Sequence, residues 1–360
     1  MVGKDYKTLR LFCLAILLLA ACKKDKPDSP VVPPPDSNAG SNVYVVCEGS
    51  LGNGNAALSL YDPASGSAYE DVYKAANGQS LGDVFQSMTR IGDKLFLCVN
   101  NSDKIAVIDR NTHMLVATIN ISKPRYILPI SDTKAYVSTL FSNKIYIINP
   151  QTLQVTGDID MPGQNPEQMI RYNSKVFVAA WDSTINKLFV VDNNTDQLTN
   201  SIQLSGYAPK EMVLDKEGII WLLSGNLQAA KPAYFTRIDP ATEQVLDSYP
   251  FPALADPLRP ALNNTKDTIY YIEINYTGGS DNNGIYRMPI HASSLPAQPF
   301  VQAQQYQYYY AVAVDPSTSN IYVADPIGFT QKGIVHIYRS DGTHLGQFNT
   351  GVGPGHFYFD

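Results

Sequence analysis

The chain has 360 residues, 44% of them hydrophobic and only 17% charged, with 24 Gly, 24 Pro and 23 Tyr. Sparse charge, with Gly and Pro punctuating the whole length, favours many short strands and tight turns over helices. The net charge of −6, with no basic tract after the N-terminus, excludes nucleic acid as a partner.

Lys4, Lys7 and Arg10 precede the uncharged run 11–21, LFCLAILLLAA, which ends at Cys22. Eleven apolar residues are too few to span a bilayer, so residues 1–21 read as an export signal. Leu19-Ala20-Ala21-Cys22 has the form of a bacterial lipobox, in which small residues admit the peptidase and the Cys22 thiol receives lipid. Without residues 1–21 the chain carries 24 basic and 32 acidic side chains, a difference of −8. Residues 23–41 are rich in Pro, Asp and Ser and have almost nothing to bury, so 22–41 is expected to be a lipidated Cys and a tether. The folded part is then 42–360.

Two cysteines remain there, Cys47 and Cys98, each inside an apolar run and without metal-ligand spacing. Buried, unpaired thiols are expected. A disulfide between them stays open, because sequence does not give their distance.

A unit made of an apolar run closed by a polar residue, a polar turn and a Val/Ile-rich run returns seven times. Its clearest copies are KIAVIDRNTHMLVATI, KIYIINPQTLQVTGDI and KLFVVDNNTDQLTNSI. The residue closing the apolar run falls at Asp62, Asp109, Asn149, Asp192, Asp239, Pro289 and Arg339, at intervals of 47, 40, 43, 47, 50 and 50. These are the periods of four-stranded propeller blades. In the second copy SMTRI, KLFLCVN, KIAVID and LVATIN are four strand-like runs separated by turn residues, and no window sustains a helical stripe. The first copy lacks an opening strand, while HFYF at 356–359 is left over. Pairing it with NVYVVCE at 42–48 closes an all-β, seven-bladed propeller with strands from both ends.

In such a ring, the segments leading into the innermost strands and those leaving the second strands share one face. The first set offers Gln86, Arg125, Tyr126, Glu167, Gln168, Lys210, Glu211, Arg259, Tyr308, Tyr309 and His356. The second offers Glu48, Asn100, Asn101, Phe141, Trp181, Asn226, Asn275, Tyr276 and Asp325. Amides and aromatics predominate, which suits a broad ligand with many hydrogen-bonding groups. A structural use of the same residues stays open, with Pro setting turns and Tyr filling seams between blades. Asp109, Asp192 and Asp239 are expected to cap turns. The five His never pair at short spacing, and no nucleophile, metal-hydrolase or phosphate-loop motif occurs. Asp281-Asn282-Asn283 with Gly278-Gly279 has a calcium-friendly composition but lacks the spacing of a calcium loop, so an ordinary blade-connecting loop is expected.

The runs VYVVCEGSLGNGNAALSLYDP, ANGQSLGDVFQSM, VNNSDKIAVID, KPRYI, KAYVS, PEQMI and YVADP occur in that order. Together they resemble the YncE-like propeller lipoproteins of Gram-negative surfaces, and more specifically the BtuG-type cobalamin-capturing lipoproteins and their surface-layer-annotated relatives. The resemblance covers nearly all of 42–360. It implies a lipid-anchored protein of the outer membrane, facing the cell exterior, that binds a corrinoid and passes it to a TonB-dependent transporter. It implies no catalysis, no cofactor of the protein's own and no metal. Two alternatives stay open: a propeller lactonase or lyase using a cation held on the channel axis by Glu48, Asn100 or Asn101, and Asp325, and a scaffold binding protein or glycan through the same face.

Overall fold

The computed structural model describes residues 42–276 and 282–360. The export signal, Cys22 and the tether lie outside the described residues, as do Gly278, Gly279 and Asp281. Among the described residues, 28 strands form seven four-stranded antiparallel sheets, the blades of a propeller. The innermost strands of blades 1 to 7 are Pro354–Phe359, Phe85–Ile91, Pro124–Ser131, Pro166–Tyr172, Pro209–Leu214, Asp256–Leu262 and Ala311–Val314. Each touches the next around the ring, and blade 7 touches blade 1.

The second strands show why the sequence reads as near-continuous apolar runs. In Lys94–Val99, Leu95 and Leu97 enter the seam with blade 1, while Phe96 and Cys98 enter the seam with blade 3. Successive side chains leave a strand on opposite faces, and here both faces are covered. Each large apolar side chain so buried contributes roughly 1.5–3 kcal/mol. Outer strands are covered on one face at most, and Gln197–Gln203 is accordingly polar and mostly exposed.

The turns after the third strands use the repeated acids as expected. Asp109 Oδ1 accepts from the backbone N–H of Asn111 and Thr112 at 3.1 and 2.8 Å, and Asp192 Oδ1 accepts from Asn194 and Thr195 at 2.8 and 3.1 Å. Asp239 Oδ1 accepts from Ala241 at 2.8 Å. Helix is limited, among the described residues, to Val72–Asn77 and three single 3₁₀ turns. None of these is long and apolar enough to cross a membrane.

Both ends of 42–360 build blade 1. Pro354–Phe359 pairs antiparallel with Val43–Cys47, placing His356 opposite Val46 and Phe359 opposite Val43. Asp360 then clamps the joint to blade 2, its carboxylate lying 2.6 Å from Arg110 and 3.0 Å from Arg90. The two thiols are buried and free. Cys47 sits in the seam between blades 7 and 1 and Cys98 in the seam between blades 2 and 3, which settles the open disulfide question.

Candidate ligand site at the mouth of the ring

The same local device recurs where five innermost strands begin. Val84, Lys123, Asn165, Ala208 and Gly353 adopt left-handed backbone with φ of 55°, 47°, 56°, 53° and 64°. Each presents its carbonyl to an N–H at or just beyond the end of the second strand of its blade: Asn100 at 2.7 Å, Leu140 at 2.9 Å, Trp181 at 2.8 Å, Gly225 at 3.2 Å and Glu48 at 2.8 Å. These bonds hold the two sets of loops on one face. For Val84, a β-branched residue, the conformation is strained, and strain of this kind gathers at binding sites.

Directly after it in blades 2 to 5, and in blade 6 without it, the ladder slips. Register shifts fall between Phe85 and Ser87, Pro124 and Ile127, Pro166 and Met169, Pro209 and Glu211, and Leu258 and Ala261. The skipped positions hold Gln86, Arg125, Tyr126, Glu167, Gln168, Lys210, Arg259 and Pro260. A bulge re-aims side chains that a regular ladder would send into the seams. Arg259 is itself left-handed, with φ of 55°.

The re-aimed groups join Glu48 and Glu211 in a buried network across the axis. Arg125 donates to Glu167 through Nη2 at 2.6 Å and Nε at 3.1 Å, and also to Gln86 Oε1. Arg259 donates from its backbone N–H to Glu211 at 2.8 Å, from Nη1 to Glu211 at 3.1 Å and from Nη2 to Glu48 at 3.3 Å. Tyr310 donates to Glu48 at 3.2 Å. Burial pushes Glu48 and Glu167 above the usual carboxylate range, against the pull of the guanidiniums. Burial opposes charge on the guanidiniums too, yet both hold their protons more tightly than usual, Arg125 chiefly because of Glu167 and Arg259 because of Tyr310 and Glu211. Tyr126, pushed up to about 12 by burial and by Glu167, stays a neutral phenol.

Above this floor opens a cavity of about 580 Å³, inside the range of small-molecule sites. Its rim carries apolar side chains open to solvent: Leu51 and Phe141 are each 76% exposed, Tyr276 60% and Trp181 37%. Lys123 bonds Asn101 Oδ1 at 2.9 Å, and Lys210 faces Asp256 at 3.5 Å. Four acids (Glu48, Glu167, Glu211, Asp256) and four bases (Lys123, Arg125, Lys210, Arg259) line the cavity, so its formal charge sums to zero.

Of the residues expected at the mouth, Glu48, Gln86, Asn100, Asn101, Arg125, Tyr126, Phe141, Glu167, Trp181, Lys210, Glu211, Arg259 and Tyr276 line this cavity. Seven do not. Gln168 and His356 lie deeper, lining a smaller chamber of about 90 Å³ with Arg259. There His356 packs edge-on against Tyr126 at 5.9 Å, and burial with the two guanidiniums holds it well below its ordinary range, as a neutral imidazole. Asn226 accepts from Ala229 N–H at 3.1 Å to cap a 3₁₀ turn, and the backbone N–H of Asn275 donates to Asn283 at 2.7 Å. Tyr308 stacks behind Tyr276 at 5.4 Å, while Tyr309 fills the seam between blades 6 and 7 and meets Tyr338 at 3.3 Å. Asp325 is buried, accepting from Gln307 at 2.9 Å and Ile327 at 3.0 Å.

Val84, Leu140, Leu258 and Tyr310, which belong to the expected strand-entry and strand-exit segments, also line the cavity, and Leu51, Lys123 and Asp256 are the lining residues that sequence reasoning passed over. Of three consecutive tyrosines Tyr310 is the one on the axis, and only the position of the blade start reveals which. Lys123 and Asp256 each precede the Pro that opens an innermost strand, a signal available beforehand. The acids and amides considered for an axial cation do not converge: Asn100 donates to Pro124 O at 3.2 Å, Asn101 donates to Asp83, and Asp325 lies outside the cavity. Among the described residues no group of three His, Cys, Asp or Glu is placed to hold a metal ion.

Residues 41–359 match a family described as a domain of unknown function, DUF5074. The chain belongs to that family. No curated protein matches this DUF5074 chain. Among solved structures it is similar to a quinonprotein alcohol dehydrogenase-like protein from Bacteroides thetaiotaomicron, at 18% identity over 89% of this chain and 78% of that one, with a TM-score of 0.66. It is also similar to a protein from Lactobacillus plantarum, at 14% identity over 89% and 99% of the two chains with a TM-score of 0.63. Hydrazine synthase of Kuenenia stuttgartiensis matches at 14% identity over 75% and 87%, with a TM-score of 0.62. At such identities the likeness is one of fold.

Proposed function

We propose that this DUF5074 propeller is a non-catalytic ligand-capture module whose mouth takes a corrinoid. The observation that carries the reading is a mouth lined by acids and bases in equal number, with exposed aromatics above a floor of fixed donors and acceptors. A neutral, broad ligand fringed with amides can lie on the rings and exchange hydrogen bonds with Gln86, Asn100 and Asn101 without leaving a charge unpaired. A corrin is wider than a cavity of about 580 Å³ encloses, so the mouth would cap one face of it. The resemblance to BtuG-type lipoproteins supports the same ligand. It also supports anchoring through lipid on Cys22, a tether over 22–41, an outward-facing place on the outer membrane and delivery to a TonB-dependent transporter.

Titration calorimetry of residues 42–360 with cyanocobalamin tests the ligand. Binding at micromolar or lower concentration is expected, and no heat at that concentration would remove the corrinoid. Cys22→Ala should release the chain from the membrane fraction, and protease treatment of intact cells reads which face it occupies. A second reading, glycan binding, is favoured by the solvent-open rings of Phe141, Trp181 and Tyr276. Saturation of the mouth by oligosaccharide, with no response to cyanocobalamin, would select it.

A further inference from the structure

We propose that Glu48 is a proton-binding site on the ring axis, and that covering the mouth with a neutral ligand draws a proton onto it. The second half rests on the reading of the mouth as a ligand site. The first half stands on the floor alone.

Three carboxylates and two guanidiniums are enclosed there, none with a side chain more than 14% exposed. Fully ionised, Glu48, Glu167 and Glu211 against Arg125 and Arg259 leave one uncompensated negative charge. Leaving a buried charge unpaired is strongly unfavourable, and a carboxyl avoids this by keeping its proton. The bonds single out which carboxyl. Glu167 has the two-pronged contact from Arg125 at 2.6 and 3.1 Å. Glu211 has the backbone N–H and Nη1 of Arg259 at 2.8 and 3.1 Å. Glu48 has only Arg259 Nη2 at 3.3 Å and the Tyr310 hydroxyl at 3.2 Å. Its Oε1 lies over Gly355, where an added Cβ would stand only 2.6 Å away.

The other groups facing the axis do not supply the missing positive charge. Tyr126 and Tyr310 are neutral phenols with raised pKa, and His356 is a neutral imidazole. On the rim Lys210 faces Asp256 at 3.5 Å and Lys123 faces Asp103 at 3.6 Å. Burial pushes the carboxyls of both Glu48 and Glu167 upward, so the choice between them rests on their bonds. A ligand that seals the mouth removes water above Glu48 and favours the uncharged acid further. Where the free protein has begun to release this proton, binding takes it up again, and above that pH affinity falls by up to about tenfold per pH unit.

Infrared difference spectra of the full chain test the proton directly. Glu273, away from the floor, is a further buried acid, lifted by burial to about 7, so the comparison is made on a Glu273→Gln background. A protonated-carboxyl C=O band at pH 7 should disappear with Glu48→Gln, and Tyr310→Phe should carry it to higher pH. Absence of the band, or its loss with Glu167→Gln and not with Glu48→Gln, overturns the assignment. Calorimetry with cyanocobalamin tests the linkage, in two buffers of different ionisation enthalpy and at the pH where the infrared band of the free protein is half lost. The expected result is uptake of up to one proton, vanishing in Glu48→Gln; buffer-independent heat in the parent overturns it. No heat in either buffer would refute the corrinoid reading, and the infrared result would still decide the proton on Glu48.

Discussion

Arg125 and Glu167 meet on the ring axis as a two-pronged ion pair, Nη2 lying 2.6 Å from Oε1 and Nε 3.1 Å from both carboxylate oxygens. Their side chains are 14% and 4% exposed, so each is the other's principal compensation for lost water. Arg125→Ala should cost ~3–5 kcal/mol in chemical denaturation, because Glu167 is left buried and unpaired. The double variant Arg125→Met, Glu167→Leu should recover most of that stability while weakening ligand binding. Equal stability loss in both variants would refute this account of the floor.

Ring closure depends on Asp360, whose side chain is 1% exposed and joins two arginines of blade 2. Asp360→Asn should lower stability by ~2 kcal/mol, the scale of hydrogen bonds to charged groups. Deleting 356–360 removes most of the innermost strand of blade 1 and should abolish a single cooperative melting transition. An unchanged melting temperature after that deletion would show that the ring does not need the strand.

Phe141 holds a left-handed φ of 58° and exposes 76% of its surface, a costly placement for a large apolar residue. Phe141→Gly suits that backbone and should leave stability equal or up to ~1 kcal/mol higher. Trp181→Ala removes a second rim ring. Each should weaken ligand binding about tenfold or more in calorimetry, and unchanged affinity in both would place the ligand elsewhere.

Burial alone lifts the Glu273 carboxyl from near 4.5 to about 7. The folded state then holds a proton that the unfolded chain has already released, so this group's contribution to stability declines as pH rises from about 4.5 through about 7. Glu273→Gln should raise the melting temperature at pH 8 and change it little at pH 4. An equal effect at both pH values would contradict the titration.

Cys47 and Cys98 are fully buried, and burial lifts their thiols to about 11 and about 12. Neither should react with a thiol reagent in the folded protein, while both should react on denaturation. Rapid labelling of the native protein would mean that a seam opens.

Turn and strand chemistry was legible wherever it is local. Asp109, Asp192 and Asp239 cap their turns because an Asx side chain bonds N–H groups two and three residues on, a geometry that neighbouring residues dictate. The site was legible only as a face. Thirteen expected residues line the cavity, since their blade positions follow from the repeat. The character of the floor was not legible: a surface read as amide and aromatic carries Glu–Arg pairs, because which side chains point inward depends on where each ladder slips.

Alone, the sequence determined the all-β ring of seven blades and its closure by strands from both ends of 42–360, because period-2 apolar runs and a repeat of 40 to 50 residues are properties of the chain itself. Tertiary structure alone decided that Tyr310 and not Tyr309 reaches the axis. It also brought Glu48 of blade 1 to Arg259 of blade 6, 211 residues away, and left the two thiols in separate seams. Those outcomes depend on bulges and on the registration of one sheet against another across the axis, which no local pattern encodes.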